Sequence, residues 1–282
     1  NEPFAQNTLK VFDPTATTIK VTWSGDASEV KFSLYKRDEE DKKTPIVFSN
    51  EALIEGRSTL VNLEPYTDYY LEAVDGEEIV SRRFRTRKLQ ITRGPYLSMV
   101  EPTSVTVAFG ALDAYKAKVH YWLEAQEDQK KTLEIEPREI KDGYQYAIEL
   151  TGLKPQTRYS YQVEMGTTKS EVYTFVSAPD SKEAQFTFNV YGDTQNGRRH
   201  KEVITAMNQQ EEVAFLLHQG DIVNTPVQSE YNSFFKNAQP FIGRVPFYPV
   251  RGNHDGQHYS FNDYFELPGI EDYYSFVYGS VY

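Results

Sequence analysis

Three times between Phe186 and Asp255 an apolar, strand-like run ends in a glycine that is followed at once by a metal-type ligand. Residues 186–191 lead into Gly192-Asp193-Thr194-Gln195, residues 213–219 into Gly220-Asp221, and residues 245–251 into Gly252-Asn253-His254-Asp255. From Asp193 to Asp221 is 28 residues and from Asp221 to Asn253 is 32. That leaves room for a helix and two loops between strands, the size of a βαβ unit. Strands joined in this way run parallel and end on one edge, and ligands of open α/β sheets bind beyond that edge. Asp193, Gln195, Asp221, Asn253 and His254 are therefore expected together. Glycine before each ligand lets the backbone turn sharply and approach closely. Carboxylate, amide oxygen and imidazole suit Mn, Fe, Zn or Mg, and one Asp could bridge two ions about 3.5–4 Å apart. The competing explanation is ordinary strand-end turn chemistry, which also favours Gly, Asp and Asn.

Composition narrows the function classes. The formal net charge of −11 argues against a nucleic-acid-binding surface, but not against a small anionic ester, because bound metal ions would dominate the local field. The absence of cysteine excludes disulfides and thiolate metal sites. No apolar run approaches the ~18 residues of a membrane-spanning helix.

The first 178 residues carry an internal repeat. Residues 1–88 read as a β-sandwich. Residues 18–23 and 30–35 alternate with the period of half-buried strands, and the charged run 38–43 reads as a solvated hairpin tip or loop. A second sandwich is expected over 92–178, with strands at 104–109 and 119–122. The string Leu153-Lys154-Pro155-Gln156-Thr157-Arg158-Tyr159 matches residues 63–69 at Leu, Pro, Thr and Tyr, 90 residues apart, and Phe175 follows Phe84 by 91. Tandem immunoglobulin-like sandwiches have this period. A polar, proline-containing linker (177–184) precedes the α/β segment 185–282. Within that segment helices are expected over 201–211 and around Tyr231, Phe234 and Phe235.

The repeated Leu-x-Pro-x-Thr-x-Tyr string resembles the fibronectin type III domain, which implies that Tyr69 and Tyr159 bond back to nearby backbone as tyrosine corners. Arg93-Gly94-Pro95-Tyr96-Leu97 resembles the opening of the domain that precedes the catalytic part of purple acid phosphatases. Gly192-Asp193-x-Gln195, Gly220-Asp221 and Gly252-Asn253-His254-Asp255 resemble the first three motifs of the calcineurin-like metallophosphoesterases. The tail over 271–282 resembles the strand pair that follows the third motif in that family.

The resemblance implies a dinuclear, metal-dependent hydrolase of phosphomonoesters or phosphodiesters that uses a metal-bound hydroxide. Asp193 would bind the first ion, Asp221 would bridge both, Asn253 would bind the second, and His254 would act on the leaving oxygen. Gln195 stands where the family most often has histidine, which makes the site harder. Asn224 stands where a carboxylate orients the corresponding histidine in protein phosphatases, and where purple acid phosphatases have a tyrosine ligand. Arg198, Arg199, His200 and Arg251 are candidate phosphate contacts, with a solvated helix start as the alternative for the first three. His218 is expected behind the ligands, and His120 and His258 are read as structural. The family's later histidines, including a Gly-His-x-His, do not occur.

The chain is therefore expected to be the N-terminal part of a longer enzyme, with little activity alone. Its start at Asn1 and the lack of an Asn-x-Ser/Thr sequon suggest a secreted or periplasmic location. The expected partner is a small phosphate ester, with a protein or glycan partner conceivable for the sandwiches. Two rivals remain open at this point: a non-catalytic binding or adhesion protein with a degenerate phosphatase-like segment, and a carbohydrate-processing accessory protein.

Overall fold

The computed structural model describes residues 8–24, 30–37, 43–46, 56–210, 212–256, 259–270 and 272–282. The chain divides into two compact units, Asn1–Leu89 and Gln90–Tyr282.

The first unit is a sandwich. β1 (Thr8–Phe12), β2 (Ile19–Ser24) and β5 (Arg57–Leu60) form one sheet in the order β1-β2-β5. β3 (Lys31–Arg37), β4 (Lys43–Ile46), β6 (Asp68–Asp75) and β7 (Glu78–Arg85) form the other in the order β4-β3-β6-β7. The alternation expected of β2 is observed: Ile19, Val21 and Trp23 are buried, and Lys20 and Ser24 are exposed. Trp23 meets Phe32 of the facing sheet edge-on at 5.7 Å, a geometry that aligns ring edge with ring face. Residues 38–42 of the charged run lie outside the described residues.

In the second unit, β8 (Ile91–Ser98), β9 (Ser104–Ala111), β12 (Arg138–Ile140) and β13 (Gly143–Thr151) pair in the order β12-β13-β9-β8. The opposing sheet contains β10 (Ala117–Leu123), β11 (Lys131–Ile135), β14 (Arg158–Met165), β15 (Thr168–Lys169) and β16 (Tyr173–Val176), with β16 paired to β14. The two tyrosine corners form as expected. Tyr69 Oη accepts the Glu64 N–H at 2.7 Å, and Tyr159 Oη accepts the Lys154 N–H at 2.9 Å. The first residues of the polar linker belong to the second sandwich. Ser177 and Ala178 are buried, and the Ala178 N–H donates to the Glu101 carbonyl at 3.2 Å.

A three-stranded parallel sheet follows in the order β17 (Thr187–Tyr191), β18 (Val213–His218), β19 (Phe247–Pro249). Helix α1 (His200–Asn208) connects the first pair and α2 (Gln228–Ile242) the second, with α3 (Tyr259–Tyr264) after β19. The two connecting helices share one core with Leu216 and Phe247 on one face of the sheet. That core includes Tyr96, Ala108 and Ile140 of the second sandwich, so sandwich and α/β segment bury one continuous apolar volume. Tyr96 also packs 5.5 Å from Phe235 of α2, and its hydroxyl donates to the Tyr264 carbonyl at 2.9 Å.

Two expectations are corrected. The helix expected over 201–211 stops at Asn208, because the Gln209 and Gln210 N–H groups bond back to the carbonyls of Ala206 and Met207 three residues earlier and tighten the last turn. The expected strand pair in the tail is not formed among the described residues, where isolated bridges Ile270↔Tyr273 and Tyr278↔Val281 stand instead. The tail is held by rings rather than by a ladder: Phe276 stacks on Tyr248 at 3.9 Å, and Tyr278 packs 5.2 Å from Phe215.

Candidate functional site

The three strand ends are laced together by main chain. The Gln219 N–H donates to the Tyr191 carbonyl at 2.9 Å, Asp193 N–H to Gly220 at 3.0 Å, and Gln195 N–H to Asp221 at 3.0 Å. Asp193, Gln195, Asn196 and Asp221 all have positive φ, between 39° and 55°. Such left-handed backbone outside glycine is costly and collects where surrounding structure enforces a functional geometry. Two of the glycines are required by close approach. A Cβ on Gly252 would lie 2.0 Å from Asp221 Oδ1, and one on Gly220, whose φ is 96°, would lie 2.8 Å from the Gly252 nitrogen.

Asp221 is at the centre of this edge. Its Oδ1 accepts the His254 N–H at 3.0 Å and its Oδ2 accepts the Gln195 amide at 3.2 Å. His254 Nδ1 lies 2.9 Å from the Asn224 carbonyl. A carbonyl only accepts, so Nδ1 carries the hydrogen and Nε2 is the nitrogen left for chemistry. Asp193 and Asn253 present exposed side chains on the flanking turns. Asp255, fully buried, ties the second turn to the third: its carboxylate accepts the Val223 N–H at 3.1 Å and the Gly252 N–H at 2.8 Å. Burial pushes its carboxyl pKa up, against the downward pull of those donors.

Residues 186–281 match the family model for calcineurin-like phosphoesterases, and residues 92–177 match that for the purple acid phosphatase N-terminal domain. No curated protein matches the chain. Among solved structures, the purple acid phosphatase PPD1 from yellow lupin (Lupinus luteus) seeds is 14% identical, with a TM-score of 0.45 over 84% of this chain and 53% of that one. PhoD is 14% identical, with a TM-score of 0.46 over 58% of this chain and 39% of that one. A two-domain fibronectin type III segment of chicken tenascin is 17% identical, with a TM-score of 0.29 over 61% of this chain and 98% of that one. The chain thus spans about half or less of the first two of these structures.

Several expectations about the α/β segment change in detail. His200 is neither a phosphate contact nor a solvated helix start. It is 4% exposed and stacks on Phe234 at 5.1 Å, and burial lowers its pKa to about 4. Arg198 is exposed just before α1. Arg251 is engaged by Asp272 at 3.0 Å. His218 lies behind the edge, as expected. Its Nδ1 accepts the Gly220 N–H at 3.2 Å, and Nε2 meets Thr194 Oγ1 at 3.2 Å. Because Thr194 donates to the Ile222 carbonyl at 2.8 Å, His218 must donate to Thr194. Burial lowers the His218 pKa to about 3, so the ring is neutral.

Sequence reasoning passed over Thr194, which occupies the variable place of the first motif, and Glu230, three residues into α2. The Glu230 Oε2 accepts Asn196 Nδ2 at 2.7 Å, the Asn224 N–H at 2.8 Å and the Thr225 N–H at 3.0 Å. Glutamate in a first helical turn is a sequence signal, but it points to a cap on its own helix and not to a clamp on two preceding loops.

The donor set can be tested against the metals the family generally uses. Asp193, Gln195, Asp221 and Asn253 offer only oxygen, and no group of three His, Cys, Asp or Glu side chains converges among the described residues. An all-oxygen set of two carboxylates and two amides fits a hard cation of the Mg or Mn kind.

Proposed function

We propose that this segment hydrolyses phosphate monoesters or diesters with the help of metal ions, at the edge that carries Asp193, Gln195, Asp221, Asn253 and His254. The observation that carries the reading is the convergence of those residues on the turns at the ends of three parallel strands, with left-handed backbone at Asp193, Gln195 and Asp221. Asp193, Asp221 and the amide oxygens of Gln195 and Asn253 would hold the metal. A bound ion supplies Lewis acidity there, neutralising phosphoryl charge and activating water. Asp221 also orients the third turn by accepting the His254 N–H. His254, anchored through Nδ1, presents Nε2 to the leaving oxygen and delivers a proton from that atom. The Asn224 carbonyl stabilises the ring while Nε2 is protonated, because Nδ1 keeps its acceptor throughout.

The test uses the full-length protein and its Asp221→Ala variant, with metal content per chain and hydrolysis of a chromogenic monoester and diester measured on both. Retained metal and hydrolysis in the parent, both lost in the variant, are expected. Equal hydrolysis in the two proteins would overturn the assignment. A second reading, a binding module with a degenerate site, draws on the short supply of charged ligands among the described residues. A parent that neither retains metal nor hydrolyses either ester would favour that reading over ours.

A further inference from the structure

Asn224 stands where a carboxylate would be expected to orient His254, but the group that meets the ring is its main-chain carbonyl, 2.9 Å from Nδ1. That carbonyl shares one peptide unit with the Thr225 N–H. Among the described residues the only cis peptide is Gly94–Pro95, so this unit is trans. In a planar trans peptide, C=O and N–H point in opposite directions on one rigid frame. On the far side of the frame the Thr225 N–H donates to Glu230 Oε2 at 3.0 Å. The same oxygen also takes the Asn224 N–H at 2.8 Å and Asn196 Nδ2 at 2.7 Å.

We propose that Glu230, the 224–225 peptide and His254 form a carboxylate–peptide–imidazole relay, in which Glu230 is the positioning residue for His254. The peptide works as a lever: fixing its N–H aims its carbonyl. A peptide whose N–H is given to an anion is polarised, which makes its carbonyl a stronger acceptor for the Nδ1–H. The relay therefore supplies what a direct carboxylate–histidine pair supplies, a fixed ring orientation and one defined tautomer.

Three observations support this beyond the distances. Residues 224–227 are exposed, so little packing holds the turn and the Glu230 bonds decide where the carbonyl points. Glu230 itself stands on a rigid element, since its neighbour Tyr231 is buried and donates to the Asp255 carbonyl at 2.8 Å. Desolvation pushes the Glu230 pKa up, but the Thr225 and Asn224 N–H donors and the Asn196 amide outweigh it and hold the carboxyl below its usual value, so the group is an anion at neutral pH.

The geometry stands alone, whereas any effect on turnover rests on the phosphoesterase reading. The two are separated by reading the tautomer of His254 directly, by 15N NMR of the metal-free full-length protein above the imidazole titration range. The parent should show hydrogen on Nδ1. Asn224→Ala should leave the tautomer unchanged, because only main-chain atoms of that residue take part. Glu230→Ala should shift His254 toward the Nε2–H form that an unrestrained imidazole prefers, and Glu230→Gln, which keeps an acceptor, should restore part of the Nδ1–H form. Should the alanine variant fail to fold, Glu230→Met keeps the length of the side chain without an acceptor and should give the same shift. Where the parent turns over an ester, kcat should fall about ten- to a hundredfold in Glu230→Ala or Glu230→Met, the usual size of such supporting effects. A parent with hydrogen on Nε2, or a folded Ala or Met variant with the parent's tautomer, overturns the relay. An inactive parent whose tautomer responds as described overturns the phosphoesterase reading and leaves the relay standing.

Discussion

The two sandwiches share a corner almost atom for atom and differ in what covers their outer strands. In the first, Thr67 Oγ1 donates to the Pro65 carbonyl at 2.9 Å, Thr67 N–H to Thr86 Oγ1 at 2.9 Å, and Thr86 Oγ1 to the Glu64 carbonyl at 2.6 Å. In the second, Thr157 Oγ1 donates to Pro155 at 2.8 Å, Thr157 N–H to Ser177 Oγ at 3.0 Å, and Ser177 Oγ to Lys154 at 2.6 Å. Tyr66 and Gln156, at the same place in the two corners, both adopt positive φ, 52° and 48°. Yet β2 alternates between buried and exposed, whereas β9 is buried at all eight positions. The corner is a local structure that its own few residues define. The outer face of a strand is defined by whatever packs on it, and in the second unit that is the α/β segment.

The largest effect that can break this comparison is expected at Tyr96. It is 1% exposed, packs on Phe235, donates to Tyr264 and accepts the Glu266 N–H at 2.9 Å. Tyr96→Ala should destabilise the second unit by about 3–5 kcal/mol, as other large aromatic truncations do. Calorimetry should show that transition move while the transition of residues 1–89 does not. A matched shift in both would mean that the units do not unfold independently.

Acidification comes next. All five histidines lie beyond residue 89. His200 and His218 are neutral in the fold, with pKa values lowered to about 4 and about 3 from a usual 6.5. The folded state therefore binds fewer protons than the unfolded one, and stability is lost as pH falls below 6.5 toward those values. The second unit should lose about 1 kcal/mol per histidine per pH unit in this window. In the first unit the Arg85 guanidinium lowers the Asp68 pKa below its usual 3.8, so that contribution is present above 3.8 and lost only in stronger acid. Chemical denaturation at pH 7 and pH 5 should therefore show a falling midpoint for the second unit and a steady one for the first.

A smaller effect sharpens the likeness. Tyr69→Phe and Tyr159→Phe each strand one backbone N–H, at Glu64 and Lys154, and each should cost about 1–3 kcal/mol. Near-equal losses in the two units are expected, and a much larger loss in one would show that the corner is not local. Smallest is the Arg138–Glu266 pair, 2.9 Å apart, which links β12 to the residues just after α3. Arg138→Ala should cost only about 0.2–1 kcal/mol, which tests whether apolar packing rather than charge joins sandwich to segment.

The same division separates what could be read along the chain from what could not. The Leu-x-Pro-x-Thr-x-Tyr strings announced both corners, because a tyrosine five residues past an N–H reaches it within one turn of chain. The Gly-Asp and Gly-Asn-His motifs announced the edge, because glycine is needed where two main chains meet and βαβ spacing brings parallel strands to the same end. His200 was misplaced because a histidine beside two arginines looks solvated, and only the packing of α1 against α2 puts it under Phe234. The tail resembles a family strand pair in sequence, whereas in the fold its rings pack on Tyr248 and Phe215 and no ladder forms among the described residues. Glu230 reads in sequence only as a first-turn acid of its own helix, and the Asn224 carbonyl leaves no trace: every residue has a carbonyl, and which one faces His254 is set by two loops and a helix.

By itself the sequence determined the repeat, the corners and the order of the three glycine-led strand-end turns, since each depends on residues close together in the chain or on spacing alone. The tertiary structure decided which faces are covered, which histidines stay neutral, and which main-chain group holds the ring of His254. These are contacts between distant segments, and their partners carry no local signature.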